Sequence, residues 1–111
     1  MRDWLADPSA TSAGTVATAV RWSLEELAAV APGHAVEVRV PPFGVAQCVG
    51  GLTHTRGTPP NVVETDPQTW LALVGDRLGW AQAVETGRIH ASGSRADLSG
   101  WLPLPGVGTR R

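Results

Sequence analysis

Apolar residues first recur at helical spacing. Val16, Ala17, Val20, Leu24, Leu27, Ala28 and Ala31 fall on one stripe, and Arg21, Glu25 and Glu26 fall opposite. That spacing predicts a helix over residues 15–31, stopped by Pro32-Gly33. At about 100° per residue, Trp22 projects from the polar side. Two readings follow. Either Trp22 stays half exposed or lies against the N-terminal arm, or its face anchors a protein partner or a second copy of the chain. The period then shortens to two. In 34–40, Val36, Val38 and Val40 take one face and Glu37 and Arg39 the other, which reads as a half-buried strand. Pro41-Pro42 ends it, because proline cannot donate to a ladder. Residues 44–49 read as a second strand before Gly50-Gly51. Residues 52–56 read as a short third strand of a meander, and 61–65 as a fourth.

Punctuation organises the rest. Asp66-Pro67 opens a helix, with Asp66 as N-cap and proline at the first helical position. Trp70, Leu73 and Val74 form its inner face, and Gly75 lies near its end. Gly79 precedes a short helix with Trp80, Ala83 and Val84 inside, closed by Gly87. Residues 88–92 read as a fifth strand, with Ile89 and Ala91 on one face and Arg88, His90 and Ser92 on the other. Ser94-x-x-Asp97 is similar to a capping box, and a helix over 94–102 would carry Leu98, Trp101 and Leu102. Residues 1–14 read as a loose arm, 15–104 as one domain and 105–111 as a flexible tail.

The order of these pieces resembles the sterol carrier protein family. The matching residues are an extended segment ending in Thr65-Asp66, the apolar helix TWLALVGDRL, then WAQAVETGRIHASG as short helix, glycine, strand and second glycine. The segments PPFGVAQC, HTRGTPPNVVE and SGSRADLSGWLPL bring the chain closest to the compact bacterial form of that family found in actinobacteria. The resemblance covers about residues 15–104 and contains no catalytic signature. It implies an α+β fold: a five-stranded, mostly antiparallel sheet with helices on one face. It also implies an apolar space between sheet and helices that accepts a lipid or acyl chain. The expected function is therefore a non-catalytic binding module for a small apolar or amphipathic ligand. A related module is joined to mycothiol-dependent isomerase-like enzymes, whose chemistry resides in a separate helical bundle that residues 1–111 do not contain. The alternative is an interaction or regulatory protein with a closed, Trp-filled core.

Composition narrows these readings. Apolar residues make up 42% of the 111 and charged residues 17%, so one modest core is expected. No apolar run approaches the roughly 18 residues of a spanning helix, so no membrane insertion is expected. The segment MRDWLADPSATSAGT holds acids where a signal peptide needs an apolar stretch, which reads as cytoplasmic. The net charge is -1 and the nine basic residues are scattered, with only Arg110-Arg111 adjacent. Nucleic acid is not an expected partner, because its binders gather positive charge on one face. Cys48, in the apolar run VAQCVGG, reads as a small buried hydrophobe.

Candidate chemistry is sparse. His54-Thr-Arg-Gly-Thr-Pro-Pro-Asn61 gathers an imidazole, a guanidinium, two hydroxyls and an amide in one loop. His54, Arg56 and Asn61 are its candidate ligand contacts, with Arg56 suited to a carboxylate or phosphate. The competing reading is a rigid connection in which Arg56 pairs with Glu64. The candidate apolar lining is Trp70, Leu73, Val74, Trp80, Val84, Ile89, Leu98, Trp101 and Leu102. The same residues also read as plain core, since a chain with one Phe and no Tyr must build its core from Val, Leu and Trp. His34, His54 and His90 stand on separate elements, so no metal is expected. Ser92, His90 and Asp97 name a triad only on paper, without a G-x-S-x-G turn. No cofactor and no enzymatic activity are expected.

Overall fold

A computed structural model of the chain describes residues 13–50, 61–93 and 96–104. The expected strand at 52–56, the arm as far as residue 12 and the tail from 105 lie outside those residues. The first helix, α1, spans Ala13–Val30. Val16, Ala17, Val20, Leu24 and Leu27 of the stripe are buried along it, Ala28 is half-buried, and Ala19, outside the stripe, is buried as well. Trp22 is half-buried and packs against the core, so it does not stand clear of the protein.

The chain leaves α1 through a locked junction. Ala35 N–H donates to the Val49 carbonyl (2.9 Å), and Val49 N–H donates to the Ala31 carbonyl (2.6 Å). These bonds tie the helix end to the start of one strand and the end of the next. Gly33 sits there at φ +144, and a Cβ on it would come within 2.3 Å of the Val49 carbonyl oxygen. No other residue fits that close approach without moving backbone.

Strands β1 (Val36–Val40) and β2 (Gly44–Cys48) form an antiparallel hairpin around the Pro41-Pro42-Phe43 turn. Strand β3 (Asn61–Thr65) lies on the other side of β1 and pairs with it in parallel. Strand β4 (Ile89–Ser92) pairs antiparallel with β3. Among the described residues the sheet has four strands in the order β2-β1-β3-β4, and it is mixed. This corrects the five-stranded, mostly antiparallel expectation. As the fourth strand of a meander β3 would run antiparallel to β1, so both its direction and its neighbour differ from the expectation. Cys48 stands opposite Val36, and Asn61 also stands beside Val36. Strand β2 therefore ends and β3 begins at the same end of the sheet, on opposite sides of β1. Asn61 fixes the landing point, since its Nδ2 donates to the Ala35 carbonyl (2.9 Å).

One sheet face is the core. Val36, Val38, Val40, Cys48 and Val63 are fully buried there. Helix α1 covers β2 and packs beside α2 (Pro67–Val74). It approaches so closely at Gly44 that a Cβ would lie 3.0 Å from Leu24 Cδ1. Asp66 caps α2 as expected: its Oδ1 accepts from Thr69 N–H (2.7 Å) and its Oδ2 from the Thr69 hydroxyl (2.9 Å). Trp70, Leu71, Leu73 and Val74 of α2 are buried. The short α3 (Trp80–Glu85) buries Ala83 alone; Trp80 is partly covered, and Val84, expected inside, is 43% exposed.

The helix expected over 94–102 is not formed in 96–104. That stretch is irregular, with a single turn in which Trp101 and Leu102 N–H both donate to the Leu98 carbonyl. Asp97 does not act as a helix cap box partner; its Oδ1 accepts from Ser99 N–H (2.8 Å), which closes a local turn. Gly100 and Pro103 leave no room to propagate a helix. The segment still closes the core, because Leu98 and Leu104 are fully buried and Leu104 N–H donates to the Val74 carbonyl (3.2 Å).

Candidate functional site

Two surfaces of the sheet offer chemistry, and they are opposite faces. The inner one is the apolar layer between sheet and helices. Trp70 is its largest fully buried side chain. Its indole Nε1–H donates to Ser23 Oγ (2.9 Å), and the Ser23 hydroxyl donates to the Val20 carbonyl (2.9 Å). A buried indole N–H needs such a partner. Among the described residues every buried side-chain nitrogen and oxygen is bonded. Ser23 escaped the sequence reading as a serine on a polar-looking helix turn. Its spacing was the available signal, three residues from Val20 and four from Leu27.

The expected lining residues divide by exposure. Trp70, Leu73, Val74, Ile89 and Leu98 are buried. Trp80 and Leu102 are partly buried against the core. Val84 and Trp101 are 43% and 38% exposed. Asn61, expected in the polar loop, instead opens β3 and is buried. His54 and Arg56, and with them the Arg56–Glu64 pairing, lie outside the described residues. Cys48 is buried, and that desolvation pushes its thiol up to about 11, so it is a poor nucleophile.

The outer face is polar, and pairing sets its rows. Arg39 stands opposite Glu64, and Glu64 opposite His90. Glu37, Val62 and Ser92 form the next row. Arg39 Nε donates to Glu37 Oε2 (2.5 Å). That hydrogen bond, the Glu37 charge and the more distant Glu64 charge raise the Arg39 pKa above its ordinary value. A cleft of about 500 Å³ lies on this face, lined by Arg39, Val62, Glu64, Ile89, His90, Ala91 and Ser92. The strand alternation already turned Arg39 and His90 outward, but only strand pairing brings them into one row.

His34 and His90 stand far apart on the sheet. His34 Nδ1 and Gln47 Oε1 are 2.7 Å apart beside β2, whereas His90 is on β4 at the other side of the sheet. Among the described residues no group of three His, Cys, Asp or Glu side chains could hold an ion. His90 makes no hydrogen bond there to Ser92 or Asp97. The Asp97 carboxyl is held below its ordinary pKa by the Ser99 backbone N–H and then the Ser99 side chain. No described helix is long and apolar enough to cross a membrane.

A family sequence model described as bacterial SCP ortholog, a branch of the sterol carrier proteins, matches residues 12–104. No curated protein sequence matches the chain. With most of its length covered, the chain belongs to the bacterial sterol carrier protein family.

Proposed function

We propose that this member of the bacterial sterol carrier protein family is a non-catalytic binding module for a small apolar or amphipathic ligand. The observation that carries the reading is the family match over residues 12–104. The ligand's apolar part enters the layer between sheet and helices, where Trp70, Leu73, Val74, Ile89 and Leu98 supply apolar contact. Trp80, Val84, Trp101 and Leu102 still expose apolar surface, so a bound chain gains further burial against them. Trp70 fills its site completely in the unliganded chain, so entry requires that its indole shift and its bond to Ser23 yield. An acidic head is held by Arg56, with His54 as a second donor.

A second reading is favoured by one observation. Trp70 is wholly buried with its N–H satisfied, as expected of an interaction protein with a closed core. In that reading the Trp22 side or the loop 54–61 meets a protein.

Calorimetric titration with a panel of fatty acids and acyl-CoAs separates the two. The binding module gives saturable heat with at least one of them. Arg56→Ala then weakens binding by about 1.5–3 kcal/mol, the range for a hydrogen bond to a charged group, and Arg56→Lys restores part of it. No heat from any ligand supports the closed interaction protein.

A further inference from the structure

The outer face of the sheet carries a cleft that the apolar-ligand reading does not use. Its floor is Val62, and its charged groups are the Arg39 guanidinium and the Glu64 carboxylate, side by side on the parallel strands β1 and β3. His90 and Ser92 of β4 line one side and are exposed. The Arg39 guanidinium is held by its Nε bond to Glu37. Among the described residues its two terminal nitrogens make no hydrogen bond, and neither does the half-buried Glu64 carboxylate. A fixed donor fork thus stands beside an open acceptor.

We propose that this cleft binds a small zwitterion of the amino-acid type, its carboxylate on the outer fork of Arg39 and its ammonium on Glu64. The short carbon skeleton lies on Val62, and His90 and Ser92 offer hydrogen bonds at the rim. Charge balance selects this class. A lone anion on Arg39 sits against both Glu37 and Glu64. A lone cation on Glu64 sits against the guanidinium. A ligand carrying both charges meets each with its opposite, and each bond is charge-assisted. The cleft volume falls within the roughly 300–1,000 Å³ of ordinary small-molecule sites. The charged groups of the site lie on the face opposite the inner layer, and Ile89 of the edge strand β4 is the residue the two share.

The test is an NMR titration of the ¹⁵N-labelled chain with β-alanine, and separately with its two halves, acetate and ethylamine. The proposal predicts saturable shifts at the amides of Val62, Glu64, His90 and Ser92. It also predicts an affinity for β-alanine at least about tenfold above that for either half. Glu64→Gln and Arg39→Gln each lower the β-alanine affinity about tenfold, while amides of α1 keep their positions. Comparing the three ligands on the unmodified chain needs no variant, so a variant that fails to fold leaves the test intact. Equal binding of one half, or no saturable shift at these amides with millimolar β-alanine, overturns the proposal. Fatty-acid binding in the inner layer reads on the Trp70 indole instead, so either site can fail alone.

Discussion

Trp70 joins packing to the proposed function. Its side chain is fully buried between sheet and helices, and its N–H reaches Ser23 across from α2 to α1. Trp70→Ala should destabilise the fold by about 3–5 kcal/mol, the cost of truncating a large buried aromatic. A denaturant melt measures this, and a loss under about 1 kcal/mol would mean that the site is not packed core. Cys48 supplies a pH test. Its folded thiol is raised to about 11 by burial, while in the unfolded chain it titrates near its ordinary ~8.5. The folded state therefore keeps a proton that the unfolded state loses. Stability from this group is complete below pH ~8.5 and falls as pH rises toward about 11. Melts across that window should show the decline, and Cys48→Ala should flatten it; an unchanged slope would contradict burial of the thiol. Both buried residues were legible in the sequence, Cys48 from its apolar run and Trp70 from its helical face. Ser23 was not, because a hydroxyl on a helix reads as surface until a partner from another element is known.

Elements were legible where burial follows one period. The 2-residue alternation of Val36, Val38 and Val40 matches the buried positions directly, and the stripe of α1 matches most of them, with Ala19 and Ser23 buried outside it. The Asp66-Pro67 start was legible because capping is local. Asp66→Ala should lower stability by about 0.5–2 kcal/mol through loss of the Thr69 N–H partner. Thermal melting of Asp66→Ala beside Asp66→Asn checks it, since asparagine keeps an accepting oxygen; equal loss in both would point away from capping. Where the determinants are non-local, the reading failed. Which side of β1 receives β3 depends on the crossover and the Asn61 bond to Ala35, neither of which leaves a periodic trace. Residues 96–104 carry helix-like spacing of Leu98, Trp101 and Leu102, yet the local Asp97–Ser99 turn and Pro103 win. Val84 was misplaced because α3 spans six residues and turns only Ala83 fully inward.

At the scale of the molecule, one sheet divides two kinds of chemistry. Its inner face and helices enclose the apolar layer in which a family member of this kind is proposed to hold its ligand. Its outer face carries the ordered row Arg39, Glu64 and His90. The fold family was legible from the order of pieces; the outer cleft was not, because it exists only once β1, β3 and β4 are aligned. The proposed function rests on the inner layer. Native mass spectrometry of the chain, purified without detergent and sprayed from a volatile buffer, tests it most directly. The binding-module reading predicts a population heavier than the bare chain by the mass of one amphiphile, released on solvent extraction and restored by adding it back. Bare chain alone, both as purified and after incubation with fatty acids and acyl-CoAs, would contradict it.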